Sequence, residues 1–102
     1  MRAVGLSDLD AATRAVLAVP RADWTSTAKQ LIADAHVADI WRKRFGTAHP
    51  KGGTGSLYAQ AMLGPTAALR PCSASYCAAL GAVIQALEAW RGRWATAKDQ
   101  ET

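Results

Sequence analysis

The chain has 102 residues, enough for one domain and too few for two independent cores. Half of it is hydrophobic, but 23 of those residues are alanine, which favours helix and buries little area. A lone protomer is therefore expected to have a thin core that self-association would thicken. The opening MRAVGLSDLD lacks the apolar stretch of a secretory leader. The longest uncharged apolar run, residues 76–84, falls far short of a membrane span. Cys72 and Cys77 lack CxxC spacing, and His36 and His49 stand well apart, so neither a zinc site nor a disulfide framework is expected. Reduced thiols and a cytoplasmic location without membrane contact follow as expectations.

The first predicted helix covers 6–19. Ser7 reads as its N-cap, with Asp10 three positions on as an acidic variant of the capping box. Leu9, Ala12, Val16 and Leu17 share a face, and Pro20 disfavours helical geometry at Val19. A long second helix covers 21–45 and stops at Gly46, which suits the left-handed position after a helix end. Residues 24, 28, 31, 35, 38, 42 and 45 follow alternating steps of four and three, a stripe read as facing the core of one bundle, with an intermolecular coiled coil as the alternative. Asp39 stands four before Lys43, the favourable order for a surface pair.

Residues 46–55 form a basic, glycine-rich loop. A short third helix covers 56–63, with Ser56 as N-cap and Gly64-Pro65 as the stop. The stretch 64–73 is a loop with two prolines. The last helix covers 74–95 and carries Tyr76, Leu80, Val83, Leu87, Trp90 and Trp94, again at 4-3 spacing. Gly81 costs it about 1 kcal/mol relative to alanine, which suggests close approach by a neighbouring helix. The polar residues 96–102 are expected to fray. No segment alternates with period two long enough to be a strand. The predicted class is all-α: a single domain, 1–102, built as a bundle of about four helices with a long central and a long C-terminal helix.

Charge is concentrated in the middle of the chain. Residues 1–41 sum to −1 and residues 72–102 to zero, whereas residues 42–71 carry five cations and no acid. Those five, Arg42, Lys43, Arg44, Lys51 and Arg70, suit a phosphate backbone, bound weakly and with strong salt dependence. The first three also complement the negative end of the helix dipole, so a structural role accounts for them equally well.

The run KGGTGS looks like a nucleotide loop but lacks the order and the preceding strand of one. A weaker reading keeps an anion site at His49, Gly53, Gly55 and Ser56, where a helix N-terminus offers free N–H groups. The competing reading is that Ser56 caps its own helix. The stripe of Tyr76, Leu80, Val83, Leu87, Trp90 and Trp94 is either core or an oligomer and partner interface, with the two tryptophans as anchors or as stacking platforms for single strands. No nucleophile–base pair has supporting local sequence, so no enzyme, no cofactor and no resident metal is expected.

One further pattern spans residues 6–91: LSDLDAATRAVLAVP, then LIADAHVADIWRKRFGTAHP, then the glycines before SL, then YCAALGAVIQALEAWR. Its most specific part is G-x-x-H-P followed by G-x-G-S-L. This resembles the small terminase-like proteins of rhodobacterial gene transfer agents, which are phage-derived DNA-packaging systems. The resemblance implies a non-enzymatic helical oligomer that holds double-stranded DNA and delivers it to a large terminase subunit. Small terminases usually begin with a helix-turn-helix domain, and residues 1–45 show no persuasive recognition helix. Sequence-independent DNA contact is therefore the expectation. The alternative from another class is a regulatory adaptor that binds a protein through its C-terminal helix.

Overall fold

The computed structural model describes residues 1–50, 53–68 and 73–101, with side chains through residue 92. The chain is all-α, with no strand among the described residues. It runs as α1 (Leu6–Leu17), a 3-10 turn (Arg21–Asp23), α2 (Trp24–Phe45), α3 (Leu57–Ala61) and α4 (Ala74–Glu101). Both α1 and α2 pack on α4, and the short α3 wedges against the other side of the same pair.

The core is narrow because its side chains are small. Nine of the fourteen buried apolar residues are alanines, so the helices meet at close range and each contact buries little area. Val16, Ile32, Leu57, Val83 and Leu87 supply most of the remaining volume. Gly81 meets no foreign atom within 4 Å of where a Cβ would sit. The close approach expected to compensate it is therefore absent among the described residues.

Several boundaries differ from the sequence expectation. The cap of α1 is Gly5, not Ser7, and the acid three positions on is Asp8 rather than Asp10. Asp8 accepts the Gly5 N–H at 2.8 Å through one oxygen and the Tyr58 N–H at 2.9 Å through the other. One carboxylate thus serves the start of α1 and the start of α3 together. The second of these contacts joins residues 50 positions apart, which local spacing does not encode. Replacing Asp8 by Ala is expected to cost about 2 kcal/mol, since two backbone donors lose their acceptor in a half-dry site. A urea midpoint equal to that of the wild type would contradict this.

The α2 stripe also shifts. Its buried residues are Ala28, Ile32, Ala35, Ala38 and Asp39, whereas Phe45, the last member of the expected stripe, is 53% exposed. An undistorted helix drifts about 20° per seven residues against a strict 4-3 repeat, so a face chosen at Trp24 has rotated away by Phe45. Gly46 ends the helix at φ 73°, and its N–H donates to the Arg42 carbonyl at 2.8 Å. At the other end of the chain, α4 continues to Glu101, beyond the expected limit at residue 95. The closing Ala-Thr-Ala-Lys-Asp-Gln-Glu holds no proline or glycine to interrupt a helix already nucleated upstream.

The segment after α3 is tied to α1. Ala67 donates its N–H to the Arg14 carbonyl at 2.9 Å, and Arg14 Nε returns a bond to the Ala67 carbonyl at 2.7 Å. Tyr76 fixes α4 to α1 by donating its hydroxyl to Asp10 at 2.6 Å. Arg42, Lys43 and Arg44 make the C-terminal end of α2 a basic surface, next to the glycine loop.

Candidate functional site

Asp39 organises that surface. It lies one turn before the cations of α2, and its side chain is only 4% exposed. One oxygen accepts from the Arg42 guanidinium at 2.9 Å. The other lies 3.2 Å from Lys43 Nζ and 3.4 Å from the Met1 amino group. Burial by itself would raise the Asp39 carboxyl. The bonds from Arg42, Lys43 and the amino group outweigh it and hold the pKa down at about 2. The expected surface pair of Asp39 with Lys43 is thus one edge of a buried cluster.

The Met1 amino group also donates to His36 Nδ1 at 3.0 Å. Burial, reinforced by that amino group, holds His36 below its ordinary 6.5, as an imidazole that accepts a bond requires.

The glycine loop is explained by its approach to Asp39. Gly55 sits at φ 98°, and a Cβ there would lie 2.6 Å from both Cα and Cβ of Asp39. Only a glycine lets the chain pass over α2 at this point. The loop then receives the N-terminal segment: Arg2 donates its N–H to the Gly55 carbonyl at 2.9 Å, and its guanidinium reaches Thr54 at 3.4 Å. This brings a further cation, Arg2, to the glycine loop that crosses Asp39. Sequence reasoning missed it because the contact spans half the chain.

The anion site expected at His49, Gly53, Gly55 and Ser56 is not assembled. Ser56 accepts the Ala59 N–H at 3.0 Å, and Asp8 occupies the Tyr58 N–H, so the first donors of α3 are already taken. Gly55 packs against the Asp39 Cα and Cβ too closely to admit even a methyl group. His49 turns away to Trp41, with ring centroids 4.9 Å apart, while its N–H donates to the Gly53 carbonyl at 3.3 Å.

The expected interface on α4 is corrected in part. Val83 is 1% exposed and Leu87 8%, so both belong to the protomer's own core and neither is available to a partner. Tyr76 and Leu80 are half-buried, and Tyr76 is bonded to α1. Trp90 packs edge-on against His36 at 4.9 Å and lines a groove of about 340 Å³ between α2 and α4. The side chain of Trp94 lies outside the described residues, as do Lys51, Arg70 and Cys72.

The three consecutive cations separate by task. Arg42 and Lys43 hold Asp39, although the Lys43 side chain stays 68% exposed. Arg44 points elsewhere, its guanidinium 5.5 Å from the centre of the Phe45 ring. Among the described residues no group of three or more His, Cys, Asp or Glu side chains is arranged to hold a metal ion. No helix among them is long and apolar enough to cross a membrane.

Fold and surface together define a small four-helix protein whose central helix ends in a cluster of cations. Over residues 2–87, from the N-terminal strap to the middle of α4, the chain matches the family described as Domain of unknown function (DUF7742), and it belongs to that family. Comparisons with curated proteins and with solved structures gave no match.

Proposed function

We propose that this protein is a non-enzymatic, oligomeric DNA-packaging adaptor of small-terminase type. It holds duplex DNA weakly and without sequence preference in the cytoplasm and delivers it to a large terminase subunit. The observation that carries the DNA contact is the end of α2, where Arg42 and Lys43 bond one buried acid, Asp39, and Arg44 lies beside them over Phe45. Three cations against one carboxylate leave a net positive surface, and long side chains let it follow a phosphate backbone. Oligomerisation is supported by Val37 and Ile40, neighbours on the outward face of α2 that are 55% and 52% exposed. A core so rich in alanine gives a further reason for copies to associate.

Anisotropy titration of labelled duplex DNA over a range of salt tests the contact. Neutralising about three phosphates gives a slope of log K on log salt near −3. Arg42 is best retained, because it compensates Asp39. Changing Lys43 and Arg44 together to Gln is expected to make the slope shallower by about 2 and to weaken all duplex sequences alike. An unchanged slope would remove these residues from the contact. Native mass spectrometry checks the oligomer, and a strict monomer at working concentration would contradict that part of the reading.

A further inference from the structure

The end of α2 carries a feature that phosphate binding does not require. Trp41 and Phe45, one turn apart, lie with ring centroids 4.4 Å apart and planes tilted by 47°. His49 closes the cluster from the loop, edge-on to Trp41. Packing of Trp41 between two other rings fixes the platform, yet Phe45 leaves half its surface in water. Arg44 lies over the Phe45 ring and pairs with no carboxylate among the described residues. Lys43, exposed along most of its length, stands beside them.

A half-exposed ring beside two exposed cations selects its ligand by two properties. The ligand must offer a flat π surface to the ring and negative charge to Arg44 and Lys43. Duplex DNA supplies the charge but keeps its base faces stacked inside. An apolar protein surface supplies the contact but would strip water from cations it cannot pair. An unpaired strand supplies both.

We infer that Phe45, supported by Trp41 and flanked by Arg44 and Lys43, is a stacking platform for the bases of single-stranded DNA. This rests on the DNA-binding reading and specifies which form of DNA the end of α2 engages, namely an unpaired strand such as one at a duplex terminus.

The test compares a labelled oligo-dT strand of about 15 nucleotides with a blunt duplex of equal length, at low salt. The wild-type protein is expected to bind the strand more tightly than the duplex. Phe45→Ala should weaken the strand about tenfold, the usual effect of removing one stacking ring, and leave the duplex unchanged within about twofold. Phe45→Trp should restore strand binding. Ultraviolet cross-linking of a bromodeoxyuridine strand to the wild-type protein gives a reading independent of any variant's folding, with the adduct expected on Trp41 or Phe45. Equal loss on strand and duplex, unchanged strand affinity, or an adduct only elsewhere overturns the platform. So does Phe45→Ala dissociating the oligomer while strand binding persists, which would make the ring an interface between copies. Duplex binding without strand preference rejects the platform and leaves the packaging reading intact, whereas no binding to either form removes both.

Discussion

Replacing Gly55 by alanine is expected to cost about 3 kcal/mol or more, a large share of the stability of a domain this size. Two separate penalties combine. At φ 98° an L-residue is strained by about 1–2 kcal/mol. The added methyl would also sit 2.6 Å from Cα and Cβ of Asp39, atoms fixed in the middle of α2. Relieving such a clash requires the loop or the helix to move, and overpacking of this kind costs about another 1–3 kcal/mol. Gly46 provides the control. It too has positive φ, but nothing lies within 4 Å of its Cβ position, so Gly46→Ala should show the strain alone, about 1 kcal/mol. Urea unfolding followed by circular dichroism separates them. Equal midpoints for the two variants would show that the loop does not press on α2 in solution.

Replacing Asp39 by alanine should cost about 2–4 kcal/mol. The loss comes less from the bonds themselves than from the cations left behind. Lys43 can turn into water, but the Met1 amino group is nearly as buried as Asp39 and would lose the carboxylate beside it, keeping only its bond to His36. The same cluster sets the acid limb of stability. Asp39 has a folded pKa of about 2 against an ordinary 3.8, so the unfolded chain takes up the proton first. Its contribution is complete above about pH 4 and is lost as the pH falls toward 2. After discounting for solvent screening, that loss amounts to about 1–2 kcal/mol. His36 acts in the same direction at higher pH. Its folded pKa lies below 6.5, so it stabilises the fold above that value and less as acid protonates the unfolded chain. Unfolding free energy measured from pH 7 to pH 2 should therefore fall in two stages. In Asp39→Ala the lower stage should vanish while the upper one remains.

These expectations bear on how the basic cluster is understood. A triple substitution of Arg42, Lys43 and Arg44 would mix two effects, because two of the three stabilise a buried carboxylate and the third does not. Variants confined to Arg44 and Phe45 address binding alone, and adding Lys43 still leaves the closer Arg42 bond to Asp39 in place. The close relation between fold and surface has a simple origin. The acid that anchors the N-terminal segment lies on the same turn of α2 that leads into the cations.

Much of the architecture was legible from residue type and spacing. Gly46 after a periodic run and Ser56 before LYAQA mark a helix end and a helix start because their chemistry is local. The excess of alanine foretold a thin core, and the lack of two-residue alternation ruled toward helices. The site was legible only in outline. A run of three cations can be read from the sequence, but their partners cannot. Asp39 looked like one half of a surface pair, and the glycine loop read as a junction before a helix capped by Ser56, with an anion site as the weaker alternative.

What the sequence determined by itself was the set of helices and the concentration of positive charge at the end of the central one. Both follow from interactions within about four residues and from simple composition. Only the tertiary structure decided that Asp8 would cap two helices, that Gly55 would press against Asp39, and that Arg2 would arrive beside Thr54. It also decided that Phe45 would leave the core, since a helix turning 100° per residue carries a regular stripe away from its neighbour. Each of these depends on where distant segments meet, and closure between distant segments is fixed by packing of the whole chain rather than by any local pattern.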